Sequence, residues 1–161
     1  MKKVIFLLSL SLLMGYVHAQ IRYVKPTATG AGDGTSWANA SGDLQGMIDV
    51  GAGMVYVAAG IYTPTQKHHA DADDLDPRDR SFVLAENVQV YGGFSGADDT
   101  DGLDNRNFVL NETILDGDLG GGNNSYHVVF SSTTENVVLD GFTIRNGKAD
   151  GTTNAGSYDR G

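Results

Sequence analysis

The chain contains no cysteine among its 161 residues. Disulfide bonds, cysteine-ligated metal sites and thiol catalysis are therefore excluded. Proline is also scarce, with 3 residues, whereas glycine is abundant, with 22. This composition favours many tight turns between short strands, so stability must come from backbone hydrogen bonds and apolar burial.

Positive charge is scarce as well. The 11 Lys and Arg residues stand against 20 Asp and Glu residues, which gives a net charge of -9. Such a surface repels phosphate backbones, and we therefore expect no nucleic-acid partner. Cationic partners, calcium among them, are favoured by comparison.

The longest apolar run lies at the start of the chain and has the pattern of an export signal. Two lysines precede it, and it ends at Val17-His18-Ala19, the small-x-small pattern that signal peptidase reads. We predict that residues 1–19 are a signal peptide cleaved before Gln20, and that the protein is extracellular or on the outer cell surface. Cleavage would remove two of the 11 basic residues and leave 9 against 20 acidic ones, a net charge of about -11. No later run approaches the roughly 18 apolar residues of a membrane helix, so we expect no transmembrane segment in the mature protein.

One segment shows helical spacing. Ser41–Asp49 has apolar residues at 44, 47 and 48 and a candidate N-cap at Ser41. After Gly53, short strand patterns alternate with Gly, Asn and Asp clusters. The stretch Thr63–Arg80, rich in Asp, interrupts these patterns and is predicted to be a solvated excursion.

Four of the strand patterns resemble one another. Their first positions are Val55, Val88, Thr113 and Val137, which lie 33, 25 and 24 residues apart. A period near 24 without helices is typical of a parallel β-helix, in which each coil returns one strand spacing higher. Alternate residues then point inward and stack between coils; those expected in the core are Val88, Val90, Val137, Leu139, Phe142 and Ile144.

A second correspondence supports this register. Ser81–Leu84 precedes Asn87 in one copy, and Tyr126–Phe130 precedes Asn136 in another. The repeating unit therefore contains more than one strand. Glycines after the matching strands mark the expected bends, at Gly92, Gly117 and Gly141.

Several motifs together resemble a known family. They are Tyr23-Val-Lys-Pro, Gly32-Asp-Gly-Thr-Ser-Trp-Ala-Asn-Ala40, Val55-Tyr-Val-Ala-Ala-Gly60, Val90-Tyr-Gly-Gly-Phe94 and Asn111-Glu-Thr-Ile-Leu-Asp-Gly-Asp118. They resemble the N-terminal region of large secreted right-handed parallel β-helix proteins of the pectin-lyase-like superfamily, in particular surface or exported proteins of Bacteroidetes-type bacteria. The resemblance covers nearly the whole mature chain and implies an all-β fold, with fold and location better specified than chemistry.

The resemblance also implies a domain arrangement. Residues 20–53 would form an N-terminal cap region, whose short helix with Trp37 nearby would cover one open end of the coils. Residues 54–161 would form coils that are incomplete at the C-terminal end. We expect the chain to be an N-terminal fragment of a longer protein.

Asp116, Asp118 and Asp140 are the metal candidates. Asp116 and Asp140 occupy matching positions in two copies, and adjacent rungs would set them about 4.8 Å apart. Calcium, bound by these two carboxylates and Asp118, would relieve their repulsion. The alternative is that they are solvated turn residues before glycine.

The remaining candidates give weaker patterns. The acidic clusters 71–76 and 98–104 lack the EF-hand spacing, so solvated loop charge is the better interpretation. His68 and His69 point opposite ways on an extended chain, and His127 lies in a strand pattern. Lyases of the β-helix family use an arginine or lysine as base, which makes Arg106 and Arg145 candidates, but the lyase and hydrolase motifs are absent.

The sequence therefore predicts an exported structural, adhesive or glycan-binding β-helix protein. A polysaccharide or cell-surface glycan is the expected partner, and no catalytic constellation is legible in these residues. The alternative is a polysaccharide lyase or glycoside hydrolase whose active site lies in later coils. Calcium is the one candidate cofactor.

Overall fold

Short strands dominate the computed structural model, which describes residues 20–67, 76–97, 102–132 and 135–150. The predicted signal peptide lies outside these ranges. One α-helix, α1 (Leu44–Asp49), and three short 3-10 helices, at Trp37–Asn39, Pro77–Asp79 and Leu103–Asn105, accompany the strands. The strands are β1 (Ile21–Val24), β2 (Gly53–Ala58), β3 (Gly60–Tyr62), β4 (Gln66–Lys67), β5 (Arg80–Leu84), β6 (Val88–Phe94), β7 (Thr113–Asp116), β8 (Asp118–Gly120), β9 (Asn123–Asn124), β10 (Val129–Ser131), β11 (Val138–Asp140) and β12 (Thr143–Arg145).

Three sheets collect strands that are distant in sequence. Sheet A has the order β1-β2-β6-β11 and sheet B the order β3-β7-β12, and every pairing in both is parallel. Sheet C has the order β4-β5-β10, with β5 and β10 parallel and β4 antiparallel to β5. A separate hairpin joins β8 and β9.

The chain visits the sheets in a fixed rotation. The second coil runs through β5, β6 and β7, and the third through β10, β11 and β12, so that each coil adds one strand to sheets C, A and B in turn. The described part is thus predominantly β with parallel sheets, which is compatible with the predicted parallel β-helix.

Two predicted correspondences are confirmed. Asp140 pairs with Tyr91 and Leu139 with Val90, which is the predicted alignment of the strands after Asn87 and Asn136. β10 pairs with β5, as the correspondence between Ser81–Leu84 and Tyr126–Phe130 predicted. The two asparagines have positive φ angles of 59° and 52°, and the Asn136 side chain donates to Asn87 Oδ1 at 2.9 Å.

The other two alignments were wrong. Thr113 begins β7, which belongs to sheet B, so it is not equivalent to the sheet A residues Val88 and Val137. Val55 pairs with Val90, two residues from the predicted partner. A shift of two preserves which side chains face inward, and the alternation was therefore still predicted correctly.

The core lies between the three sheets. Val88 and Val90 are fully buried there as predicted, while Val137, Leu139 and Phe142 are partly buried against the same cluster. Ile144 differs from the prediction, because 52% of its surface is exposed. It stacks in register over buried Leu115, but no further strand of the described residues covers it.

The helix begins two residues later than predicted, because its N-cap is Asp43 and not Ser41. Asp43 is the N-cap, and its Oδ1 accepts from the Gly46 amide at 2.9 Å. Ser41 cannot take that role because its backbone is committed to β1, where its amide donates to the Tyr23 carbonyl. Leu44 and Ile48 enter the core as the spacing predicted.

Trp37 belongs to an aromatic cluster. It is buried on the outer face of sheet A, with its ring centroid 4.9 Å from that of Tyr23 and 5.7 Å from that of Phe94. Tyr56 stacks on Phe94 at 4.4 Å in the same cluster. The N-terminal segment therefore adds a second, aromatic layer outside the coils.

Candidate functional site

A groove of about 250 Å³ lies where the chain turns from sheet A into sheet B. We call it the corner groove. Its lining combines aromatic, carboxylate and hydroxyl side chains with an open glycine corner. The lining residues are Phe108, Glu112, Thr113, Asp140, Gly141, Phe142 and Thr143.

Two glycines make room for the Phe108 ring at the corner groove. A Cβ at Gly141 would lie 2.7 Å from the Phe108 ring, and one at Gly93 would lie 2.6 Å from it. Both residues have positive φ, at 82° and 91°, where a larger residue would be strained. The two glycines thus allow the half-exposed Phe108 ring to lie on the corner.

A hydrogen-bonded turn presents Phe108. The Asn107 amide donates to the Gly93 carbonyl at 2.9 Å, and Asn107 Oδ1 accepts from the amides of Val109 and Leu110. Val109 and Leu110 are 89% and 79% exposed. Three consecutive apolar side chains are therefore held outward on an otherwise acidic protein.

Two carboxylates also line the groove, those of Glu112 and Asp140. Glu112 Oε1 accepts from Thr143 Oγ1 at 3.0 Å. Asp140 Oδ2 lies 2.7 Å from Arg106 Nη1. The Arg106 guanidinium carbon lies 5.0 Å from the centre of the Phe108 ring and 5.2 Å from that of Tyr91, within cation–π range.

This arrangement offers one apolar ring beside several hydrogen-bonding oxygens. Sugars have the matching character, because their C–H faces are apolar and their hydroxyls donate and accept. The exposed Glu112 carboxylate adds attraction for a positively charged group, whereas the charge of Asp140 is paired with Arg106. The chemistry of the corner groove therefore matches that of a polyol.

Asp116 lies in a separate, fully hydrogen-bonded setting. Its Oδ2 accepts from Arg145 Nε and Nη2 at 2.9 and 2.7 Å, and its Oδ1 accepts from Asn146 and the Asp118 amide. Burial raises the pKa of Asp116, but these hydrogen bonds and the Arg145 charge outweigh it, so the pKa lies below its usual value.

The three calcium candidates do not share one site. Asp116 pairs in register with Arg145 in sheet B, whereas Asp140 pairs with Tyr91 in sheet A, so the predicted adjacency was wrong. Asp118 is exposed and caps the β8–β9 turn through the Gly120 amide. Within the described ranges, no group of three or more acidic or histidine side chains could hold a metal ion. Calcium binding stays a prediction without a geometric basis here.

The other sequence candidates have structural surroundings or lie outside the described residues. His68, His69 and most of both acidic clusters belong to the second group. His127 precedes β10, and its carbonyl accepts from Ser81 Oγ at 2.5 Å. Arg106 and Arg145 each form an ion pair with an aspartate.

Sequence reasoning missed the corner groove. Phe108 carried no periodic pattern, and the partner of Arg106 lies 34 positions along the chain, on the next coil. The available signal was the unusual apolar run Phe108-Val109-Leu110 between asparagines in an acidic chain.

The fold and groove define a mainly β protein of stacked parallel coils with an aromatic and acidic corner. Scans against models of known protein families, curated proteins and solved structures give no match. In the part of the chain that the structure describes, no helix is long and apolar enough to cross a membrane.

Proposed function

We propose that this chain is part of an exported or cell-surface parallel β-helix protein, of the pectin-lyase-like kind, that binds glycans at the corner groove. The leader pattern of residues 1–19 supports export. The general preference of parallel crossover connections for the right-handed sense supports right-handed coiling.

The groove chemistry carries the proposal. Phe108 offers an exposed ring, and Glu112, Thr143 and Asp140 place oxygen atoms beside it. Since the chain has a net charge of -9, acidic polysaccharides are repelled over longer distances. Neutral glycans or amino sugars are the preferred class.

Binding to a glycan array, followed by calorimetric titration of the best ligand, tests the proposal. Phe108→Ala removes the ring and should weaken binding by about fivefold or more, since stacking on an aromatic ring is worth on the order of 1 kcal/mol or more. Val50→Ala is the matched control, because Val50 is 60% exposed but lies just after α1, outside the groove lining. Equal binding by Phe108→Ala and the parent protein would contradict the proposal.

Glycoside hydrolysis is the second candidate function. Glycosidases use two carboxylates across a sugar-binding cleft, and the corner groove contains Glu112 and Asp140. Release of reducing ends from a bound glycan, abolished by Glu112→Gln with binding retained, would support it. Binding without release of reducing ends supports the scaffold function.

A further inference from the structure

Only one of the two carboxylates of the corner groove is neutralised within the chain. Asp140 Oδ2 lies 2.7 Å from Arg106 Nη1, so the charge of Asp140 is paired. Glu112 is exposed and forms no ion pair with any residue that the structure describes. The groove therefore carries one unpaired negative charge, which lies on the Glu112 carboxylate.

Hydrogen bonds at both its backbone and its side chain hold Glu112 in the groove. The Glu112 carbonyl accepts from the Gly60 amide at 3.0 Å, which ties the backbone to β3. The side chain reaches the next coil, where Oε1 accepts from Thr143 Oγ1 at 3.0 Å. Among the described residues, no group donates to the second oxygen, Oε2. This oxygen is therefore available to a donor on a ligand.

Phe108 supplies a surface on which a sugar ring can lie beside this carboxylate. The Phe108 ring lies against Gly93 and Gly141, and half of its surface stays exposed. The turn that leads into β7 connects the ring to the carboxylate, and it is closed by a hydrogen bond from the Asn111 amide to the Asn107 carbonyl at 2.8 Å. One ligand can therefore meet both an apolar ring and an anionic acceptor.

An ammonium group on a sugar ring matches this arrangement. It supplies three N–H donors and a positive charge, and its hydrogen bond to a carboxylate is stronger than that of a neutral hydroxyl or acetamido group. The carbon face of the same sugar is apolar and fits the Phe108 ring. Attraction over longer distances has the same sign, since the chain has a net charge of -9.

We propose that the corner groove is selective for glycans whose sugars carry a free amino group, and that Glu112 determines this selectivity. The selectivity rests on the proposed function, the binding of glycans at the groove. Asp140, whose charge is paired with Arg106, contributes a hydrogen-bond acceptor without net charge. An ion pair at an exposed position changes affinity by up to about fivefold, and this is the size of the preference expected.

Three glucose-based tetrasaccharides test the selectivity, because they differ only in one substituent of each ring. The substituent is a free amino group in the glucosamine tetramer, an acetylated amino group in the N-acetylglucosamine tetramer and a hydroxyl group in cellotetraose. Each is titrated calorimetrically into the full chain, in weakly acidic buffer in which the free amino groups are protonated. At low salt the glucosamine tetramer should bind about fivefold more tightly than the other two. The preference should shrink in about 0.5 M sodium chloride, where exposed charges are screened.

A variant that removes only the charge identifies the residue responsible. Glu112→Gln keeps an oxygen acceptor for Thr143, and with it the glucosamine tetramer should bind no more tightly than cellotetraose. Glu86→Gln is the matched control, because Glu86 is also exposed but lies between β5 and β6, outside the groove lining. The control removes the same charge from the chain, and the preference should persist. The comparison separates the groove carboxylate from general attraction between an acidic protein and a cationic ligand.

The outcomes distinguish the selectivity from glycan binding itself. Equal or tighter binding of cellotetraose or the N-acetylglucosamine tetramer overturns the selectivity, as does a preference that persists in Glu112→Gln. In either case the proposed function stands if Phe108→Ala weakens the binding. A preference for the glucosamine tetramer that Phe108→Ala leaves unchanged overturns the selectivity, because the amine then binds elsewhere. Absence of binding by all three overturns it too, and the proposed function fails with it if the glycan array is also silent.

Discussion

The most quantitative test concerns how α1 closes the edge of β5, through two hydrogen bonds between the Gln45 side chain and the Val83 backbone. Gln45→Met preserves side-chain volume but leaves the Val83 amide and carbonyl without these partners at a part-buried position. Leaving a buried polar group unsatisfied costs about 1–3 kcal/mol. For two partly buried groups we expect a loss of about 3 kcal/mol in the free energy of unfolding.

The assay is urea unfolding followed by the fluorescence of Trp37, the single tryptophan. A loss of this size corresponds to a fall of roughly 10 °C in Tm for a domain of this length. Gln66→Met is the matched control, because Gln66 is exposed on β4 and should change stability by less than about 0.5 kcal/mol. A Gln45→Met protein as stable as this control would refute this role of Gln45.

Two further predictions concern the packing of the coils. Gly92→Ala should destabilise the fold by more than about 1 kcal/mol, because its Cβ would lie 2.4 Å from the Gly141 carbonyl, while Gly102→Ala, with nothing within 4 Å, should be nearly neutral in the same urea assay. The depressed pKa of Asp116 means that the folded state favours the ionised carboxylate. The stabilisation of the fold by the Asp116 carboxylate is fully present above the pKa of an unfolded aspartate, near 3.9. It is lost as pH falls through the lower folded-state pKa. Asp116→Asn should therefore flatten the acid limb of the stability curve, and an unchanged limb would contradict this.

The sequence was informative where local pattern and fold agree. Val88 and Val90 alternate inward on β6, and the asparagines before β6 and β11 adopt the same left-handed conformation. Both features depend on residues close in sequence. They were enough to predict β6 and β11 of sheet A and the register between these two strands.

The error at Thr113 has a physical cause. An aliphatic strand that ends in Asp-Gly fits the corner of any sheet, so the pattern does not specify which sheet the strand joins. The excursion between β6 and β7 also lengthens the second coil. The interval of 25 residues from Val88 to Thr113 therefore separates strands of two different sheets. Only the long-range pairing of strands shows whether two similar segments belong to the same sheet or to different sheets.

The candidate site was less predictable than the fold. The ion pairs of Arg106 with Asp140 and of Arg145 with Asp116 join residues 34 and 29 positions apart on different coils. Neither partner is marked by local sequence. The sequence alone therefore predicts Asp116 and Asp140 as metal ligands, whereas in the fold each of them is paired with an arginine.

Engineered cysteine pairs test the coil register most directly, since the chain has no cysteine of its own. Gln89 and Val138 are register partners on adjacent parallel strands of sheet A. Mild oxidation of Gln89→Cys/Val138→Cys should form an intramolecular disulfide or accept a short cross-linker. Ile114→Cys/Val138→Cys, the pair that a 24-residue coil would bring together, should not. Efficient cross-linking of the second pair, with none in the first, would contradict the three-sheet coil.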